Sequence, residues 1–162
     1  MIRKANLLDS KQIIELEKDY YEGYSISEEV LGKWIENGNF FVIEENSKVV
    51  GSIYFEFLNE IKDLPWHHES ITGIDKYIYI SEIAVDSKDR IPILFNKVLE
   101  AAKENNCEAI VWLTGDKGNH DKIEQGFLGA NGFKIFKKVE NWECAPEYFI
   151  HDHSLWLREF KK

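Results

Sequence analysis

Cysteine, proline and methionine are scarce in this chain of 162 residues, with two, three and one of each. Cys107 and Cys144 cannot build a disulfide framework, so a reduced, cytoplasmic setting is the expectation. Pro65, Pro92 and Pro146 are too scattered for a proline-rich linker, and no internal repeat or low-complexity tract interrupts the sequence. No apolar run approaches the ~18 residues of a membrane-spanning helix. The opening Met1-Ile2-Arg3-Lys4-Ala5-Asn6 meets Asp9 without the apolar stretch of a secretory signal. Basic residues are in deficit too: 20 Lys and Arg stand against 29 Asp and Glu, a formal charge of −9. That balance argues against nucleic acid as the main partner, because duplex binding needs a basic surface to displace counterions. It is compatible with a cationic amine as ligand.

What is present suffices for a folded core. Hydrophobic residues make up 44% and aromatics 14%, and the length fits a single domain over residues 1–162. Ile2 to Leu8 reads as a short strand. Asp9 then offers a helix cap, with Gln12 three residues on, ahead of Ile13, Leu16 and Tyr20 at helical spacing. A second helix starts near Ser25 or Ser27, carries Val30, Leu31, Trp34 and Ile35 as its apolar stripe, and stops at Asn37-Gly38. Phe40–Ile43 and Val49–Phe55 flank Glu45-Asn46-Ser47-Lys48 as a hairpin. A polar stretch from Asn59 to Lys76 follows, and then a β-rich run from Tyr77 to Val85. Ile93 to Asn106 has helical composition, Ala109 to Leu113 reads as a buried parallel strand, and Asp121 to Asn131 as a shorter helix. Phe133–Val139 and Ser154–Phe160 close the chain as strands. The order β-α-α-β-β-β-α-β-α-β-β predicts a mixed α/β sheet whose central strands, Tyr77–Val85 and Ala109–Leu113, run parallel across a right-handed crossover.

With these elements in place, the chain resembles the GNAT superfamily of acyl-CoA N-acyltransferases across almost its whole length. The sharpest likeness is Ile80-Ser81-Glu82-Ile83-Ala84-Val85-Asp86, then Arg90, then a helix with Val98-Leu99-Glu100-Ala101-Ala102; Ala130-Asn131-Gly132-Phe133 is similar to the family's later helix-to-strand turn. The resemblance implies acetyl-CoA as co-substrate, a small-molecule or peptide amine as acceptor, and homodimerisation, for which the final strands are natural candidates. It implies that the pantetheine arm bonds free backbone groups at Ile83, Ala84 and Val85. The pyrophosphate would sit on Arg90 and on the amides of Ile91, Ile93, Leu94 and Phe95, at a helix start whose dipole favours an anion. The family pattern here is Gln/Arg-x-x-Gly-x-Gly/Ala, whereas this chain reads Arg90-Ile91-Pro92-Ile93-Leu94-Phe95. Large side chains replace both glycines, and Pro92 removes a donor. Two readings stay open. Either Ile93 and Phe95 face the core or lie beside the cofactor, leaving the amides usable, or the phosphate cradle is lost and the protein is a catalytically inactive binding or regulatory module.

Transfer to an amine needs a base, because only the neutral amine attacks a thioester. The resemblance makes Glu82 the candidate base, against the alternative of a structural carboxylate. By simple alternation Glu82 shares a face with Ile78, Ile80 and Ala84, while Ser81 and Tyr79 lie on the other, where Ser81 can hold a water; a bulge would alter this. The family's tyrosine acid has no counterpart: Leu128 occupies its place, beside Phe127, and Tyr148 is an alternative donor. Trp34, Trp66, Tyr20, Tyr21 and Tyr24 fall in segments that line the acceptor pocket in such proteins, with Glu28, Glu29, Glu56, Glu60, Asp63 and Glu69 adding negative charge. No metal site is expected. His151-Asp152-His153 and His67-His68-Glu69 read as hydrogen-bonding residues, and Cys107 as a small core residue.

Overall fold

A computed structural model describes residues 1–58, 74–116, 118–143 and 150–160, the side chains of 139–143 and 150–152 excepted. Glu60, Asp63, Pro65, Trp66, His67, His68, Glu69, Cys144, Pro146, Tyr148 and the side chains of His151 and Asp152 therefore lie outside the described residues. The strands are β1 (Ile2–Lys4), β2 (Phe40–Glu45), β3 (Lys48–Leu58), β4 (Tyr77–Val85), β5 (Ala109–Gly115), β6 (Lys134–Glu143) and β7 (Ile150–Glu159). The helices are α1 (Ser10–Tyr20), α2 (Glu28–Glu36), α3 (Ile91–Glu104) and α4 (Asn119–Ala130). The element order is the expected one. The strands form a mixed sheet in the order β1-β2-β3-β4-β5-β7-β6, with β4 and β5 parallel. Two compact units divide the chain. The first holds Met1–Glu56 and Ile80–Ala101, the second Phe57–Tyr79 and Ala102–Lys162, so β4 contributes to both.

In the first unit β1 pairs antiparallel with β2, and β2 with β3. The hairpin turn is Asn46-Ser47, both at positive φ (51° and 62°). This two-residue geometry matches the twist of the strands it joins. β3 presents two faces. Gly51, Ile53 and Phe55 lie on one, where a Cβ on Gly51 would meet Ile43 at 3.2 Å and Leu94 of α3 at 3.4 Å. Ser52, Tyr54 and Glu56 lie on the other, where Trp34 of α2 stacks on Tyr54 (4.6 Å, 17°).

Two local expectations are corrected. The first strand ends at Lys4 because Asn6 caps a single 3-10 turn, Leu7–Asp9, by accepting from the Leu8 amide at 2.9 Å. Asp9 does not cap α1 with its side chain. Its carboxylate is gripped by both terminal nitrogens of Arg3 (2.8 Å each), which holds it below the usual carboxylate range. Gln12 accepts from the Val49 amide instead (2.9 Å). At α2 the expectation stands: Ser27 accepts from Val30, and Gly38 at φ +83° ends the helix.

The second unit is organised on a core of Tyr77, Tyr79, Ala109, Val111 and Leu155. β7 runs antiparallel between β5 and β6. Trp112 is buried and donates to Glu124 at 2.9 Å. Leu128 and Cys107 are buried, and burial pushes the Cys107 thiol up, away from thiolate reactivity. No helix among the described residues is long and apolar enough to cross a membrane.

Candidate active site

The site builds up on the Ser52-Tyr54-Glu56 face of β3, where β4 lies alongside. Ser81 donates to Glu56 Oε2 (3.0 Å), and the next residue, Glu82, accepts from Ser52 (3.4 Å). Two successive residues of β4 thus reach the same row of β3. The expected alternation, which set Ser81 on the face opposite Glu82, does not hold.

Glu82 is 5% exposed. Against it lies Glu17, at 0% exposure on the last turn of α1. The Ile26 amide donates to Glu17 Oε2 (3.2 Å), and Glu82 is the acid that acts on the Glu17 carboxyl. Burial pushes Glu17 up to about 7, outweighing the opposing effects of the Ile26 amide and of Glu82. A second string of bonds runs along β3. Asn37 donates to the Tyr54 hydroxyl (2.8 Å), and Tyr54 donates to Glu56 Oε1 (3.2 Å). Burial first, then the charge of Glu56, raises the Tyr54 phenol to about 12, so it stays a donor.

The backbone of β4 at the candidate cofactor position is engaged. The Tyr21 hydroxyl, one residue past α1, donates to the Ile83 carbonyl and accepts from the Ile83 amide (3.2 Å). The groups expected to be open to a pantetheine arm at Ile83 are therefore held by a tyrosine. The Ala84 and Val85 side chains are buried. Beyond the strand, a 3-10 turn, Lys88–Arg90, leads directly into α3. The helix begins at Ile91, two residues earlier than expected. Of its first-turn side chains, Ile91, Leu94 and Phe95 are buried, while Ile93 is 46% exposed. Phe95 thus joins the core, and Ile93 stands on the outer surface of the helix start. Arg90 is bound by carboxylates: its terminal nitrogens bond Glu45 at 2.7 and 3.0 Å, and its Nε bonds Asp86. A diphosphate there would compete with two acids for the guanidinium. The exposed start of α3 offers its amides to solvent at Ile93, the one feature among the described residues here that suits an anion.

The acceptor-lining expectations divide. Tyr21 is at the site, and Trp34 reaches it through its stack on Tyr54. Tyr20 is buried in an edge contact with Tyr21 (4.9 Å), and Tyr24 is half-buried. Glu56 is at the site, whereas Glu28 and Glu29 are exposed on the first turn of α2, Glu29 pairing with Lys33. Sequence reasoning missed Glu17, Ser52, Tyr54 and Asn37. A signal for Glu17 existed: it stands four residues after Ile13, inside the buried stripe of α1, where an acid is out of place.

No family model and no curated protein matches the sequence. Solved structures do. Naa20 of Chaetomium thermophilum, in complex with a bisubstrate analogue, superposes with a TM-score of 0.76 at 14% identity, covering 98% of this chain and 86% of its own. Naa50 of Arabidopsis thaliana, in complex with the bisubstrate analogue CoA-Ac-MVNAL, gives 0.71 at 17% identity, covering 99% of this chain and 98% of its own. The ribosomal-protein-alanine N-acetyltransferase of Brucella melitensis gives 0.70 at 17%, covering 99% of each. At such identities the likeness speaks for the backbone arrangement rather than for the chemistry. The chain has the fold of the GNAT acyl-CoA N-acyltransferase superfamily.

Proposed function

We propose that this protein is an N-acetyltransferase that moves an acetyl group from acetyl-CoA to a primary amine, with Glu82 as general base. The observation that carries the reading is the buried Glu82 carboxyl on β4, set beside the Ile83 backbone along which this fold lays its thioester. Glu82 takes a proton from the acceptor ammonium, and the nitrogen lone pair attacks the thioester carbonyl carbon. The developing oxyanion draws on a backbone amide of β4. The nitrogen, cationic after its attack, gives its second proton to solvent as the C–S bond breaks, and CoA leaves as a thiolate that solvent protonates; with a thiol pKa of ~8.5 it needs no dedicated acid, in keeping with the buried Leu128 where the family carries a tyrosine. Ser81 acts through Glu56, fixing that carboxylate, and does not touch the reacting atoms in this scheme. The acids Glu17, Glu56 and Glu82 favour an acceptor that arrives as a cation, either a small amine or a peptide N-terminus. Two of the similar proteins were solved with bisubstrate analogues, which supports an acceptor of that kind.

The test is thiol release from acetyl-CoA against a panel of diamines, amino-acid amides and short peptides with a free N-terminus. At least one acceptor should give saturable release, and Glu82→Gln should reduce it ~100-fold or more while leaving the melting temperature near that of the parent. An undiminished rate in Glu82→Gln rejects the base. Acetyl-CoA binding without release to any acceptor favours the inactive binding module.

A further inference from the structure

Glu17 moves no proton in the scheme above, yet it is the most deeply buried acid of the site. One oxygen, Oε2, takes the Ile26 amide. The other, Oε1, is buried and receives no N–H or hydroxyl from another residue among those described. The acid that acts on this carboxyl is Glu82, itself buried, whose Oε1 takes the Ser52 hydroxyl. Two neighbouring carboxyls out of water cannot both ionise easily, and one proton held between them relieves the repulsion.

We infer that Glu17 and Glu82 hold one proton between them as a single acid–base unit, in which Glu17 is a positioning residue that decides when Glu82 can accept a proton from the acceptor ammonium. This rests on the reading of Glu82 as the base. The groups facing the pair come from several elements. The segment after α1 contributes the Ile26 amide to Glu17 and the Tyr21 hydroxyl on Ile83. β3 supplies the Ser52 hydroxyl on Glu82, then Tyr54 and the charged Glu56, and β4 adds Ser81 on Glu56. Ser52 bonds Oε1 of Glu82, and the Ile26 amide bonds Oε2 of Glu17. The pair acts once the shared proton has passed to solvent: its doubly ionised form receives one proton from the ammonium, and the nitrogen keeps its electron pair for the carbonyl carbon. The pair returns the proton to solvent after CoA departs. The acid limb of the rate profile then follows the upper titration step of the pair, a property of both residues together.

Two measurements test this separately. Carboxyl-carbon NMR of the ligand-free protein, labelled at glutamate, should show Glu17 and Glu82 titrating with two shared inflections, one above the usual carboxylate range. Glu17→Gln should leave Glu82 with one inflection, and Glu82→Gln should do the same for Glu17, so failure of either variant to fold leaves the other. Independent single titrations of the two residues in the parent protein overturn the shared proton, whatever the rates. In the pH profile of kcat/KM, Glu17→Gln should move the acid limb down by about one pH unit or more by removing the like charge. A merely structural role would lower the rate without moving the limb, and that result overturns the positioning role. Coupled titration together with full activity in Glu82→Gln removes the base reading alone and leaves the shared proton standing.

Discussion

At the scale of single residues, Tyr21 and Glu17 do what their letters do not announce. A tyrosine just past a helix was read as a pocket-lining ring, but its hydroxyl holds both polar groups of Ile83. A thioester arm that bonds Ile83 must displace it. Tyr21→Phe removes the competitor and should tighten acetyl-CoA binding several-fold, since one net hydrogen bond is worth ~1 kcal/mol; a direct binding titration checks it, and weaker binding would show that Tyr21 helps to seat the arm. Glu82 was singled out because the chemistry of amine transfer calls for a base and the family likeness points to its strand; the structure adds its burial and its bond from Ser52, and the role of base belongs to the proposal. Glu17 was not, because only the tertiary contact turns a helical acid into half of a carboxyl pair. Ser81 was assigned to the wrong face because period-2 alternation assumes an unbroken strand, and nothing local in Ile80-Ser81-Glu82-Ile83 announces the irregularity.

At the scale of elements, punctuation was readable wherever it was local. Asn46-Ser47 gave the hairpin, Ser27 the start of α2 and Gly38 its end. Ser47 sits at φ +62°, where an L side chain crowds its own carbonyl and glycine does not. Ser47→Gly should therefore raise stability by about 0.5 kcal/mol, the relief of strain exceeding the added entropy of the unfolded chain; urea denaturation reads it directly, and a loss would mean that the serine hydroxyl supports the turn. Gly51→Leu should do the opposite and cost about 1–3 kcal/mol by pressing on Ile43 and Leu94. The cap of α1 was misread because Arg3, six positions before Asp9, outcompetes the helix for its carboxylate with a two-pronged charged bond. A guanidinium arriving from a strand is invisible to a pattern that looks only forward from the cap. The helix start at Ile91 was placed two residues late because Pro92, which suits a first helical turn, was taken as a lost donor rather than as a start signal.

At the scale of the whole molecule, the fold class and element order were legible because hydrophobic periodicity survives without any knowledge of contacts, and the GNAT-like order of elements is long enough to be distinctive. The pH dependence of stability is a whole-molecule property with a sign set by the site. Burial pushes the Glu17 carboxyl up to about 7 from 4.5 within the pair it forms with Glu82, so the folded state binds the extra proton and unfolding free energy falls as pH rises from about 4.5 to about 7. Asp9 works the other way: its lowered folded value gives stability that is present above its ordinary range and lost as pH falls below it. Glu17→Gln should flatten the upper window and leave the protein more stable at pH 8 by about 2–3 kcal/mol, measured by denaturation across pH; a parent whose stability is level from pH 5 to 8 would contradict the buried titration. The proposed function places acetyl-CoA at the start of α3, where Ile93 is exposed and a diphosphate would meet the helix amides. A calorimetric titration of acetyl-CoA into the parent and into Ile93→Asp tests it, because an acid in the first helical turn suits the helix dipole and spares the fold while opposing a bound anion. The account predicts saturable one-site binding in the parent and at least about tenfold weaker binding in the variant, whereas no binding at millimolar acetyl-CoA, or equal affinity in the two proteins, would contradict it.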